Sequence, residues 1–174
     1  MHHSVARLAC ICVFVAVGAA ALAGCSPESA DRRPVAWHKI PVPAEALVAI
    51  YARLANTACQ NTSSETEAPS VFFVELQDEP LRMLQEALAD ENIIVRGIEP
   101  STELPESRGG NLVDPATGRR AAKLSVGASW MGENRINASA EYYVGVLWAA
   151  SFRVTIERRS GEWVFTRFER TWVS

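Results

Sequence analysis

The apolar positions along this chain change period several times, and each change marks an element. From Leu8 to Ala23 no charged or strongly polar residue interrupts the chain. That run is short for a membrane span, which takes about 20 residues, and it suits the core of a signal peptide closed by small residues. Residues 26–43 hold Pro27, Pro34, Pro41 and Pro43, which forbid a helix and favour extended chain. Val35, Trp37 and Ile40 in the second half of this stretch suit packing against a domain. From Ala44 to Cys59 the residues Leu47, Ile50, Tyr51 and Leu54 recur at helical spacing, so one helix face is buried.

A polar stretch over 60–69 separates this helix from Val71-Phe72-Phe73-Val74-Glu75-Leu76, which predicts a strand covered on both faces. Asp78 is placed to cap a second helix with Pro80 in its first turn and a stripe of Leu81, Leu84 and Leu88. Residues Ile93 to Ile98 predict the next strand, giving one strand–helix–strand crossover. Glu99 to Gly110 predicts a long surface loop, and Asp114-Pro115-Ala116-Thr117-Gly118 a turn. The remainder predicts an antiparallel meander: a strand to Trp130, a turn over 131–136, a strand over 138–149, an alternating strand through Phe152, Val154 and Ile156, and a Ser160-Gly161 hairpin into Trp163–Val173. On a simple alternation, Trp163 and Phe165 share one face of that last strand, and Val164, Phe168 and Trp172 the other. The expected fold class is α+β, with two helices packed on a curved, mostly antiparallel sheet of five or six strands in a two-layer sandwich.

The residues that close the apolar run sharpen its meaning. Leu22-Ala23-Gly24-Cys25 resembles, at each position, the lipobox of bacterial lipoproteins. The resemblance implies cleavage between Gly24 and Cys25, diacylglycerol on the Cys25 sulfur and acylation of the new amino group. Several acyl chains hold a protein firmly, whereas one holds it marginally. It also implies a cell-envelope location, and Ser26 rather than Asp after the cysteine favours the outer membrane if the host is Gram-negative. Ala21-Leu22-Ala23 fits an ordinary export cleavage as well, which would release a soluble domain. The two readings differ in their thiols: a lipidated Cys25 leaves Cys59 alone in the mature chain, whereas an unlipidated one permits a Cys25–Cys59 disulfide. The organisation expected is a signal peptide over 1–24, a lipidated tether over 25–43 and a single domain over 44–174. In outline, the leading helix and trailing meander are similar to cystatin-like and nuclear-transport-factor-like rolls, a likeness of topology that carries no function.

Charge and composition narrow the partners. The chain carries 17 Lys+Arg and 20 Asp+Glu, and only Arg7 lies before Cys25, so the mature charge is 16 − 20 = −4. Mild acidity without a basic cluster argues against nucleic acid. His38 is the one histidine after Cys25, which excludes an imidazole metal site and leaves little for a catalytic triad. No metal or cofactor is expected. Gly127-Ala128-Ser129-Trp130-Met131 lacks the final glycine of a nucleophile elbow and lies within a strand. Glu99, Glu103 and Glu106 read as solvated loop carboxylates, and Glu157 and Glu169 with Arg153 and Arg167 as cross-strand pairs on a wet sheet face. No catalytic residue is assigned. The aromatics Trp130, Trp148, Trp163, Trp172 and Tyr142 fall on predicted strands, as core or as the lining of a small-ligand pocket in the sheet concavity. The pocket reading requires at least two of these indoles exposed in one cavity. The expected function is therefore a non-enzymatic binding or accessory domain with an envelope protein partner, the small-ligand pocket being its alternative.

Overall fold

The computed structural model describes residues 40–61, 68–89, 92–99, 102–107, 110–145 and 148–173. The signal-peptide, Gly24 and Cys25 assignments and most of the tether lie outside them. Helix α1 spans Ala44–Gln60 and follows Pro43, whose carbonyl accepts from the amides of Ala46 and Leu47. Its buried face carries Ile50, Tyr51, Leu54 and Ala58 at helical spacing. The Tyr51 hydroxyl is pushed up to about 12, first by burial and then by the nearby Glu75 carboxylate.

Strand β1 (Val71–Val74), helix α2 (Asp78–Leu88) and strand β2 (Ile94–Gly97) form the expected crossover, with β1 and β2 parallel. Asp78 does not cap α2. It is the first helical residue, at φ 49°, after an extended Gln77, and no side chain closes the helix start. Asp78 and Glu79 instead place negative charge in the first turn, where the helix dipole favours it.

The meander follows as β3 (Ala121–Trp130), β4 (Arg135–Gly145), β5 (Trp148–Arg159) and β6 (Glu162–Val173). All six strands join one sheet in the order β2-β1-β3-β4-β5-β6. β1 pairs in parallel with both β2 and β3, and the pairs from β3 to β6 are antiparallel. Among the described residues, two helices against one mostly antiparallel six-stranded sheet make this an α+β two-layer fold.

The expected strand over 138–149 is divided between two strands. β4 starts earlier, at Arg135, and ends at Gly145, which pairs with Trp148 across a reversal. Gly145 has φ 153°, and a Cβ there would lie 2.2 Å from the Gly110 carbonyl oxygen. A glycine is therefore required where the chain turns back. The unbroken apolar run through this point hid the reversal.

The helices cover one sheet face. Phe72, Val74, Leu124, Ile136, Tyr142, Phe152, Val154 and Ile156 point into this core with the buried faces of α1 and α2. Among the described residues, the opposite face is covered at the parallel edge. There Val71, Phe73, Ala121 and Leu112 form a second, smaller cluster, with Ile94, Ile98, Leu104 and Tyr143 packed on it. Strand β1 is thus buried on both sides, as its continuous apolar run requires. The cover comes from Leu104, within the stretch expected as a surface loop, and from Leu112 just beyond it. The described residues of 102–107 and 110–113 fold back through Leu112 N–H to the Val144 carbonyl, Val113 N–H to the Pro105 carbonyl and the Tyr143 hydroxyl to Glu106. Asp114, 1% exposed, pins this cover to β2 by accepting from Arg96 at 3.1 Å and from the Thr117 hydroxyl at 2.6 Å. Burial alone would raise the Asp114 pKa, but Thr117, the Ala116 amide and the Arg96 guanidinium together hold it below the ordinary carboxylate value.

Candidate functional site

Away from the parallel edge, the second face of β3 to β6 carries no helix among the described residues. Its residues follow from the same alternation that builds the core. On β3, Val126, Ala128 and Trp130 pack against the core, which turns Ser125, Gly127 and Ser129 outward. On β4, Ile136, Ala138 and Ala140 point in, and Asn137, Ser139 and Glu141 point out. The register aligns these into rows: Gly127–Ser139–Arg153–Glu169, with Ser125–Glu141–Ser151–Trp172 on one side and Ser129–Asn137–Thr155–Arg167 on the other.

Short side chains at the centre of these rows leave a hollow of about 400 Å³, lined by Gly127, Ser129, Asn137, Ser139, Arg153 and Thr171. A Cβ added at Gly127 would meet nothing within 4 Å. The hollow shares Gly127 and Ser139 with a neighbour of about 350 Å³ beside Glu75 and Glu141. That one shares Ser125 and Glu141 with a cleft of about 150 Å³ bounded by Trp172. The result is a shallow trough with a floor of serine, glycine and asparagine.

Charged groups at the rim are mostly engaged. Lys123 meets Glu75 at 3.0 Å, and Ser151 donates to Glu141 at 3.1 Å. Arg167 and Glu169 form an ion pair. The Arg167 hydrogen bond, with the nearby Arg153 charge adding to it, holds the Glu169 carboxyl below its usual value. The Thr155 hydroxyl donates to Asn137 Oδ1 at 3.0 Å, fixing that amide. At the covered edge, Glu103, Glu106, Lys123 and Tyr143 line a further hollow of about 290 Å³. The Tyr143 pKa is raised there, chiefly by its hydrogen bond to Glu106 and further by burial. Glu99 stands apart, accepting from Gln77 at 3.0 Å.

The chain matches no protein-family model, no curated protein and no solved structure. The site is therefore read from its own chemistry.

The five aromatics named from the sequence do not converge. Trp130 and Trp163 pack on each other on the helix side, ring centres 5.8 Å apart, and Trp130 Nε1 donates to the Pro41 carbonyl at 3.1 Å. Tyr142 lies in the core 5.9 Å from Phe152, its hydroxyl accepting from Asn61 at 3.4 Å. Trp148 packs against the same core. Trp172 alone of the five projects onto the helix-free face, 54% exposed. The condition of two exposed indoles in one cavity is not met.

Strand β6 explains part of this. Its pairing with β5 shifts between Thr155 and Ile156 and again between Ser151 and Phe152. The first shift returns Phe168 to the helix side with Trp163 and Phe165, contrary to simple alternation; the second leaves Trp172 outside.

Other singled-out residues take structural places. Ser129 sits on β3, on the trough floor and not at a strand-to-helix turn. Cys59 is half-buried, its thiol 3.5 Å from the Pro69 carbonyl. Among the described residues, no three metal-ligating side chains cluster. Sequence reading took Gly127 as part of a structural strand segment and gave Asn137 and Ser139 no part in a binding site. The signal was there: a period of two in small polar residues on two successive strands.

Proposed function

We propose that the chain is a bacterial lipoprotein of the cell envelope, lipidated on Cys25, whose α+β domain is a non-enzymatic binding or accessory module. In this reading the helix-free face of β3 to β6 is its working surface. The anchor rests on Leu22-Ala23-Gly24-Cys25. The observation that carries the binding role is the floor of the trough. A sheet face that only meets water is well served by long charged side chains and threonines, whose stems shield the strands. Ser125, Gly127, Ser129, Ser139 and Ser151 leave this one approachable instead. Hydroxyls and the Asn137 amide offer hydrogen bonds at the centre, and charged residues surround them. A polar partner from the envelope fits such a surface.

The size of the central hollow favours a second reading. About 400 Å³ lies within the roughly 300–1,000 Å³ typical of small-molecule sites. A small polar ligand would then lie against Arg153 and the serines.

Intact mass of the protein from membranes of its native host, beside a Cys25→Ala variant, tests the anchor. The expected mass is residues 25–174 plus acyl chains, lost in the variant. A soluble, unacylated chain beginning at Gly24 would overturn the anchor and make a Cys25–Cys59 disulfide the next question.

A further inference from the structure

The described exposed large apolar residues fall at two ends of the sheet. Trp172 and Val173 sit at one end, beside the reversal between β4 and β5. Ile40 and Met131, 38% and 61% exposed, belong to the other, as does Val164, which lies opposite Glu157 on β5. There Met131 begins the tight turn from β3 to β4, its amide donating to the Arg135 carbonyl. Ile40 precedes Pro41, whose carbonyl accepts from the Trp130 indole. The half-buried Trp163 ring packs on that indole. Two indoles, an isoleucine and a methionine thus share the end at which the described chain begins.

We infer that this end of the domain, built on Ile40, Trp130, Met131 and Trp163, rests on the lipid surface that carries the anchor. The inference depends on the lipoprotein reading. Cys25 precedes Ile40 by 40 − 25 = 15 residues. Extended at ~3.1 Å per residue, these reach ~47 Å. Ile40 is where that stretch meets the domain, so its neighbours can touch the bilayer with most of the leash slack. By register Trp172 and Val173 lie level with Ser125 and Leu124, about 17–20 Å along β3 from the Trp130 end, so reaching them would take up that much more of the leash. A short tether also raises the local concentration of surface and domain to the millimolar range, so a weak contact becomes populated.

The chemistry suits the lipid interface. Indoles favour the headgroup level, and exposed Ile and Met side chains gain by leaving water. Among the described residues the surrounding charges balance, with Arg135, Arg158 and Arg159 against Glu133, Glu157 and Glu162. Contact is therefore apolar in origin and insensitive to salt.

Spin labels on the lipidated chain test this. In a Cys59→Ser background, one label replaces Glu133 beside Met131, and another replaces Ala116 in the far-end turn. Each protein is purified from membranes with its acyl mass verified, then reconstituted into phosphatidylethanolamine–phosphatidylglycerol vesicles. Collision with an aqueous nickel chelate should fall several-fold at position 133, relative to a soluble Cys25→Ala form, while collision with oxygen rises. Position 116 should stay open. The Ile40→Glu/Met131→Glu variant should reopen position 133 at an unchanged melting temperature. Equal openness at both positions in an acylated, vesicle-bound chain would overturn this inference and leave the anchor standing. Protection at position 133 from both relaxants, with dipolar broadening, would overturn it by showing a second copy on the patch. A chain without acyl groups would overturn it together with the lipoprotein reading.

Discussion

The two faces of the sheet are made by the same strands and finished differently. Toward the helices, β3 and β4 present Leu124, Val126, Ala128, Ile136, Ala138, Ala140 and Tyr142, and the face is closed by α1 and α2. On the other side the same strands present serines, a glycine and an asparagine, and among the described residues the face is open except where those of 102–107 and 110–113 fold over β1 and β2. One side is built for burial, the other for approach. Stability should therefore reside in the first face and in the cover at the parallel edge, and should be almost indifferent to the trough. Because the stabilising and accessible surfaces are separate, the floor of the trough is free to vary with what it contacts.

The hardest test of this contrast is Phe152→Ala. Phe152 is 3% exposed, stacked 4.8 Å from Phe168 and 5.9 Å from Tyr142. Its loss should cost about 3–5 kcal/mol in urea unfolding. Gly145→Ala should follow, at about 1–3 kcal/mol, because the new Cβ would strike Gly110 and the backbone there favours glycine. The damage should concentrate at the cover, with faster amide exchange at Leu112 but not at Ile156.

Asp114→Asn should cost about 1–3 kcal/mol at neutral pH, reduced by the partial exposure of Arg96. The folded Asp114 pKa is depressed, so its stabilisation is present above the unfolded value of ~3.9 and is lost as pH falls through the folded one. The gap in melting temperature between wild type and variant should accordingly narrow from about pH 4 downward.

The smallest effects belong to the trough. Ser139→Ala should change stability by less than about 0.5 kcal/mol. Gly127→Ala should be neutral or stabilising by up to ~1 kcal/mol, since its Cβ enters open space and strand glycine is entropically unfavourable. A loss of more than about 2 kcal/mol at either position would mean that the two faces do not divide these roles.

Much of the architecture could be read from periodicity. The helical spacing in 44–59, the doubly apolar run at 71–74, the crossover and the Ser160-Gly161 hairpin all have local causes. What escaped depended on distant contacts. The need for glycine at 145, where the chain reverses, comes from the approach of Gly110, far away in sequence. The side assigned to Phe168 depends on a register shift against β5, which no pattern within β6 discloses. The folding of the described residues of 102–107 and 110–114 over β1 follows from partners such as Arg96 and Val144. For the trough the case is reversed: large aromatics drew the eye, although most of them pack in the core. The small polar residues that form its floor were legible, but their meaning appeared only when two strands lay side by side.

The central claim is that the helix-free face is where this domain meets its partner. A photo-crosslinking amino acid placed at Ser139, on the trough floor, and separately at Glu86, on the exposed side of α2, tests it most directly in cells of the native host. The account predicts one discrete adduct from position 139, lost when Arg153 is replaced by Glu at unchanged protein level, and none from position 86. No adduct at position 139, or the same adducts from both positions, would contradict it.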